Sequence, residues 1–158
     1  LEERRIAGAN KAEAVFMKEF SFARSKEEFK NPAQRRRLGT ICGSTTQLSK
    51  YFKKRSFHLI VGDLPYGISH GNTAGKHFRG GTRNPAELLE EALPQWKVVL
   101  KPGGTIVVAW NSFTKSRKAL AEIFETNGLE VFSDELYCSF EHMVDKSIKR
   151  DILVAKKV

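Results

Sequence analysis

The chemistry-bearing residues of this chain gather at Asp63-Leu64-Pro65-Tyr66, directly after the apolar run His58-Leu59-Ile60-Val61-Gly62. A carboxylate can accept hydrogen bonds or a proton, a proline fixes a turn, and a tyrosine presents a flat ring with a polar tip. A short apolar run bounded by turn residues reads as a buried strand of a parallel sheet. In open α/β folds ligands bind beyond the carboxyl ends of such strands. Position alone leaves two roles for Asp63: a catalytic acid, or the first residue of a turn.

The elements that must hold these residues follow from the rest of the chain. Ile6, Ala9, Ala12, Phe16 and Phe20 recur at steps of three and four, which predicts an amphipathic helix from the first residues onward. Asn31-Pro32 breaks the chain before the run Arg35-Arg36-Arg37, which either contacts phosphate or is simply solvated. Leu38 to Gly43 is a short strand, and the hydroxyls of Ser44, Thr45 and Thr46 are placed to cap a helix that turns Leu48, Tyr51 and Phe52 inward. After the strand ending at Asp63, the stretch from Ile68 to Arg83 is rich in glycine and cations. A loop of this length is usually functional or disordered. As a lid it would turn His70, Lys76, His77, Arg79 and Arg83 toward an anionic substrate.

Asn84-Pro85-Ala86-Glu87 is a helix start, with an N-cap asparagine, proline at the first position and Glu87 three residues after the cap. Leu89, Ala92, Leu93, Trp96 and Leu100 form its buried face, Pro94 should kink it, and Lys101-Pro102-Gly103-Gly104 turns into a strand from Thr105 to Trp110. A further helix buries Leu120, Ile123 and Phe124 and stops at Asn127-Gly128. Leu129–Phe140 and Asp151–Val158 read as a closing antiparallel pair. Strands alternating with helices predict an α/β fold with a mostly parallel sheet. There are no internal repeats and no low-complexity segments.

At 158 residues and 41% hydrophobic, the chain has the size of one domain with a core. Its net charge of +9 is uneven: residues 1–60 carry 14 Lys/Arg against 6 Asp/Glu, and the remainder is near neutral. A basic half suits a polyanion such as nucleic acid, or a solvated face. Cys42 and Cys138 have no metal-like spacing and are expected as reduced core thiols. No apolar stretch reaches the ~18 residues of a membrane span and there is no signal peptide, so the chain is read as cytoplasmic. Leu1 is not an initiator methionine, and something is expected upstream of it.

The acid-x-Pro-aromatic at a strand end, the Leu100-Lys101-Pro102-Gly103-Gly104 turn and the closing hairpin resemble class I S-adenosylmethionine methyltransferases. Asp63-Leu64-Pro65-Tyr66-Gly67 is similar to the Asp/Asn-Pro-Pro-Tyr/Phe motif of enzymes that methylate exocyclic base amines, most of all those forming N2-methylguanosine in tRNA. The resemblance implies a Rossmann-like sandwich over residues 1–158 as a single catalytic domain. It implies that the Asp63 carboxylate and the Leu64 carbonyl hold the amine's hydrogens, that Pro65 fixes the turn, and that Tyr66 stacks on the base. Gly67, the lid cations and the three arginines would then meet RNA, while Ser44, Thr45 and Asp63 would face the cofactor.

The sequence departs from the pattern at three points. Leu64 replaces the first proline, Ser44 stands where an acid contacts the cofactor's adenine, and the glycine-rich first β-α-β unit is absent. Completion by an amino-terminal segment or a partner chain is therefore expected, because the strand at Leu59 would otherwise leave an apolar edge open. Adenine-N6 methylation of RNA or DNA, and a non-catalytic RNA-binding or partner subunit, are the alternatives. No metal is expected.

Overall fold

The computed structural model describes residues 2–7, 16–67 and 84–158. The lid candidates His70, Lys76, His77, Arg79 and Arg83 lie outside them. The backbone divides into two compact units, Leu1–Ser44 and Thr45–Val158.

The first unit is a three-stranded antiparallel sheet, in the order β1 (Glu2–Ala7), β2 (Phe16–Phe22), β3 (Arg36–Cys42). This corrects the expected amino-terminal helix. The step of four between Phe16 and Phe20 belongs to both the helical and the strand period, and pairing of Phe20 with Glu3 and Leu38 selects the strand. It also corrects the setting of the Leu38 strand, which pairs antiparallel with β2 rather than taking a place in the parallel sheet. A short helix α1 (Lys26–Lys30) fills the β2–β3 connection, capped by the Ser25 hydroxyl accepting from the Glu28 N–H.

The second unit carries the α/β fold. Its sheet runs β4 (Phe57–Asp63), β5 (Leu100–Asn111), β8 (Ile148–Lys157), β6 (Leu129–Val131), with β7 (His142–Asp145) as the hairpin partner of β8. β4 and β5 are parallel, and β6 shares their direction because β8 lies antiparallel to both β5 and β6. β4, β5, β6 and β7 thus run one way, with β8 against them between β5 and β6, which gives the mainly parallel strand direction and the carboxyl-terminal antiparallel hairpin that the sequence predicts. The expected long strand from Leu129 shortens to three residues, since Ser133-Asp134 leads into a one-turn helix α5 (Glu135–Cys138).

Helix α3 (Pro85–Val99) begins as its sequence dictates: the Asn84 side chain accepts from the Ala86 N–H, and Pro85 needs no partner there. It runs through Pro94 to Val99. Lys101 to Gly104 do not end the helix as a free turn but form an irregularity inside β5, between the pairs Phe57–Leu100 and Leu59–Thr105. Gly104 is required there, because a Cβ would lie 2.8 Å from the Leu100 side chain. Helix α4 (Arg117–Thr126) is capped by Ser116 and stops at Gly128, whose φ is +68°.

Leu89, Leu93 and Trp96 of α3 and Leu120 and Phe124 of α4 pack on one sheet face with Ile106, Val108, Trp110, Leu153 and Ala155. Burying each large aliphatic or phenylalanine side chain there contributes about 1.5–3 kcal/mol, which anchors β5 and β8, and β4 is held by its parallel pairing with β5. The opposite face of β4 shows Leu59 and Val61, 53% and 71% exposed, and among the described residues of the unit β4 is the sheet's edge.

The short helix α2 (Leu48–Tyr51) follows a 3-10 turn at Thr45–Gln47, and its N-cap is Gln47 without a side-chain cap bond rather than a hydroxyl residue. Both cysteines are free but exposed, which corrects their expected place in the core. Neither helices nor long strands bury them: Cys42 ends β3, and Cys138 sits in α5 with its thiol toward the Ser133 carbonyl. No helix among the described residues is long and apolar enough to cross a membrane.

Candidate active site

The ladder between β4 and β5 runs one residue past the end of β4: the Leu64 N–H donates to the Ala109 carbonyl at 2.8 Å. Leu64 is therefore buried while Asp63 beside it is exposed at the carboxyl end of the strand. The chain then turns through Pro65, so that Tyr66 comes back over the acid. The Tyr66 hydroxyl donates to Asp63 Oδ1 at 2.7 Å and accepts from Arg150 Nε at 2.8 Å. The Arg150 guanidinium also lies over the Tyr66 ring, 5.5 Å from its centroid.

Burial and the bond to Asp63 push the Tyr66 phenol above its ordinary pKa, against the opposing pull of Arg150. The hydroxyl consequently keeps its proton, and remains a donor, throughout the neutral range.

A second set of contacts fixes the backbone of this turn. Asn111, the last residue of β5, is 1% exposed. Its Nδ2 donates to the Tyr66 carbonyl at 3.2 Å and the Ser147 carbonyl at 2.9 Å, and its Oδ1 accepts from the N–H groups of Phe113 at 3.2 Å and Lys149 at 3.0 Å. One side chain thus ties the Asp63 turn to the β7–β8 turn. Gly67 has φ +72°, and a Cβ there would stand 2.8 Å from Thr114 Cγ2. Thr114 is itself held on the Asn111 carbonyl by its N–H and its hydroxyl. Gly67 is therefore needed for the conformation of the turn and for the space beside Thr114.

Arg150 enters from β8, opposite Asn111 in the antiparallel register. Its strand is anchored by the next residue, Asp151, 2% exposed and paired with Arg117 at 2.9 Å. On the flank, Glu141 bridges Lys149 Nζ at 2.6 Å and faces the Ser112 hydroxyl at 2.8 Å. Those two contacts, Lys149 first, hold its carboxyl below the usual glutamate value.

Of the residues singled out in the sequence, Asp63, Leu64, Pro65, Tyr66 and Gly67 come together here. Thr45 belongs to the same unit, but its hydroxyl accepts the Trp96 indole N–H at 2.8 Å and so serves the packing of α3. Ser44 and the three arginines belong to the first unit. There Arg35 donates to the Phe29 carbonyl and lies over the Phe29 ring at 4.9 Å. Arg36 and Arg37 are successive residues of β3, and successive strand residues point to opposite faces, so the triple does not form one cationic cluster.

Asn111 and Arg150 are not singled out by the sequence. The strand-end rule that marks Asp63 applies equally to Asn111, one residue past Trp110. Arg150 lies far from Asp63 along the chain, and only the β5–β8 register brings it to the site.

No family model matches the chain, and no curated protein matches it. Among solved structures, three of a candidate DNA modification methylase from Thermus thermophilus are similar. The selenomethionine derivative has a TM-score of 0.47 at 15% identity, over 73% of this chain and 52% of the other. The complex with S-adenosyl-L-methionine has a TM-score of 0.46 at 17% identity, over 73% and 53%. A third structure has a TM-score of 0.45 at 15% identity, over 73% and 52%. The chain spans about half the length of these solved structures.

Proposed function

We propose that the protein is an S-adenosylmethionine-dependent methyltransferase acting on an exocyclic base amine of RNA, with guanine N2 of tRNA as the substrate. The observation that carries this reading is the exposed Asp63 carboxylate at the end of β4, with Tyr66 folded back onto it and the Leu64 carbonyl next in the chain.

An aromatic amine is a weak nucleophile because its lone pair is delocalised into the ring. Two acceptors drawing on its two hydrogens favour the pyramidal form and stabilise the positive charge that develops on nitrogen. Asp63 and the Leu64 carbonyl supply these acceptors, and the Tyr66 ring receives the base once it leaves its stack. A bound cofactor would supply a sulfonium methyl, whose S–C bond would break as the N–C bond forms, leaving a thioether and releasing the surplus amine proton to solvent. Positioning within such a site accounts for much of the rate.

The described residues fit the acceptor side better than the cofactor side. Asp63 is at the strand end, but the Thr45 hydroxyl accepts from the Trp96 indole, and the sequence holds no glycine-rich strand–turn–helix. Among the described residues of the second unit β4 is the sheet's edge, and its exposed Leu59 and Val61 support completion of the sheet, and of the cofactor site, by a further chain segment or a partner.

The test is the nucleoside content of tRNA from cells whose gene carries Asp63→Ala. Loss of N2-methylguanosine at one position supports the reading. Unchanged tRNA nucleosides overturn it. Loss of N6-methyladenosine from RNA or DNA overturns the guanine assignment in favour of adenine. Asp63→Ala protein that still binds RNA, in cells with no methyl group lost, identifies a binding module instead.

A further inference from the structure

We propose that Arg150 is a positioning residue of the acceptor site, setting Tyr66 so that one carboxylate oxygen of Asp63 and the tyrosine ring at a fixed tilt are presented to the base. This rests on the reading of Asp63 and Tyr66 as the acceptor pair and adds the residue through which the far end of the chain controls them.

The tyrosine hydroxyl has one proton to give. Arg150 Nε donates to the hydroxyl oxygen at 2.8 Å, and a guanidinium cannot accept a hydrogen bond. The hydroxyl proton must then point elsewhere, and Asp63 Oδ1 lies 2.7 Å away to take it. Arg150 therefore fixes the direction of the hydrogen bond, from tyrosine to aspartate. Oδ1 is engaged by this bond, and among the described residues no side chain donates to Oδ2. Oδ2 is the oxygen presented to the amine.

The ring supplies the second half. The guanidinium carbon lies 5.5 Å from the ring centroid, toward the hydroxyl end to which Nε donates, and this contact fixes the tilt of the ring. A stacking base meets the ring at that fixed tilt. Arginine suits this task because Nε and the planar fork sit in one rigid group, so that the hydrogen bond and the stacking contact are set together. The group is itself held in place: Asp151, next in β8, is locked to Arg117, and Asn111 opposite holds the Tyr66 carbonyl.

The experiment measures quenching of 2-aminopurine, placed at the target position of a short single-stranded RNA, by wild-type protein and by Arg150→Gln, Arg150→Lys, Tyr66→Phe and the Arg150→Gln/Tyr66→Phe double variant. Arg150→Gln is expected to weaken the quenched complex about tenfold, in line with loss of a hydrogen bond to a charged group. Tyr66→Phe should weaken it similarly, and the double variant no further, because Arg150 acts through the hydroxyl. Arg150→Lys should recover part of the affinity, which a purely structural loss would not allow. Additive losses in the double variant overturn the proposal, as does an Arg150→Gln protein that binds like wild type. If wild-type protein binds the RNA without quenching, the acceptor-site reading itself fails, and the proposal with it.

Discussion

Asn111→Ala is the most direct perturbation of the structure around Asp63. It removes four hydrogen bonds: two given to the Tyr66 and Ser147 carbonyls and two accepted from Phe113 and Lys149. At a net contribution of about 1 kcal/mol each, the sum is about 4 kcal/mol. Phe113 and Ser147 are exposed and can be re-solvated, whereas Tyr66 and Lys149 are half-buried, so about 3 kcal/mol is expected. The only two tryptophans, Trp96 and Trp110, both lie in the second unit, so their fluorescence in urea reports that unit alone. With a slope of roughly 1.5 kcal/mol per molar urea, the midpoint should fall by about 2 M. A fall smaller than about 0.5 M would refute the reasoning, since it would mean that these bonds exchange for water at no cost. Asn111→Asp sharpens the test. It keeps an acceptor for the two backbone N–H groups but sets a carboxylate oxygen against two carbonyls, so it should be no more stable than the alanine variant at neutral pH.

Gly67→Ala should destabilise the same unit by about 1–2 kcal/mol, the usual cost of a left-handed conformation for a residue with a Cβ. Adding Thr114→Ser, which deletes the methyl nearest that Cβ, should return only the steric part of any larger loss in the same urea assay. Glu141 gives a prediction in pH. Its carboxyl is lowered from 4.5, so its contacts with Lys149 and Ser112 stabilise the fold above 4.5 and are lost as pH falls through the lower folded-state value. Because the pair is exposed, the effect is about 0.5 kcal/mol or less. Thermal melts of wild type and Glu141→Gln should differ at pH 6 and converge near pH 3; a constant difference would show that the charge is not the cause.

The second unit is largely legible because its local signals agree with one another. Asn84-Pro85 and Ser116 cap helices whose apolar spacing then continues inward, and the strands expected to end at Asp63 and Trp110 end at Asp63 and Asn111. The first unit is not legible, since Glu2–Ala7 and Phe16–Phe22 contain good helix formers such as Glu, Arg and Ala, and only the pairing of these two segments makes them strands. The irregular pairing at Lys101–Gly104 has the same origin: Pro-Gly-Gly marks a change of direction, but whether it lies between elements or inside a strand depends on the neighbour it meets. At the site, the motif identifies the acid and the aromatic. Arg150 cannot be found the same way, since a cation near a sequence end carries no signal until β8 is placed against β5.

The place of β8 in the sheet also bears on how the protein is made. It is the last strand of the sheet in chain order, yet it occupies an interior position, with β5 on one side and β6 on the other, and it contributes the buried Leu153, Val154 and Ala155. During synthesis, β4, α3, β5, α4 and β6 emerge first, and none of them can pair across the gap left for it. The nascent chain must wait with the inner edges of β5 and β6 uncovered until residues 148–157 leave the ribosome. Uncovered strand edges of this kind are prone to wrong pairing, and the arrival of Arg150 at Tyr66 coincides with the closing of the fold.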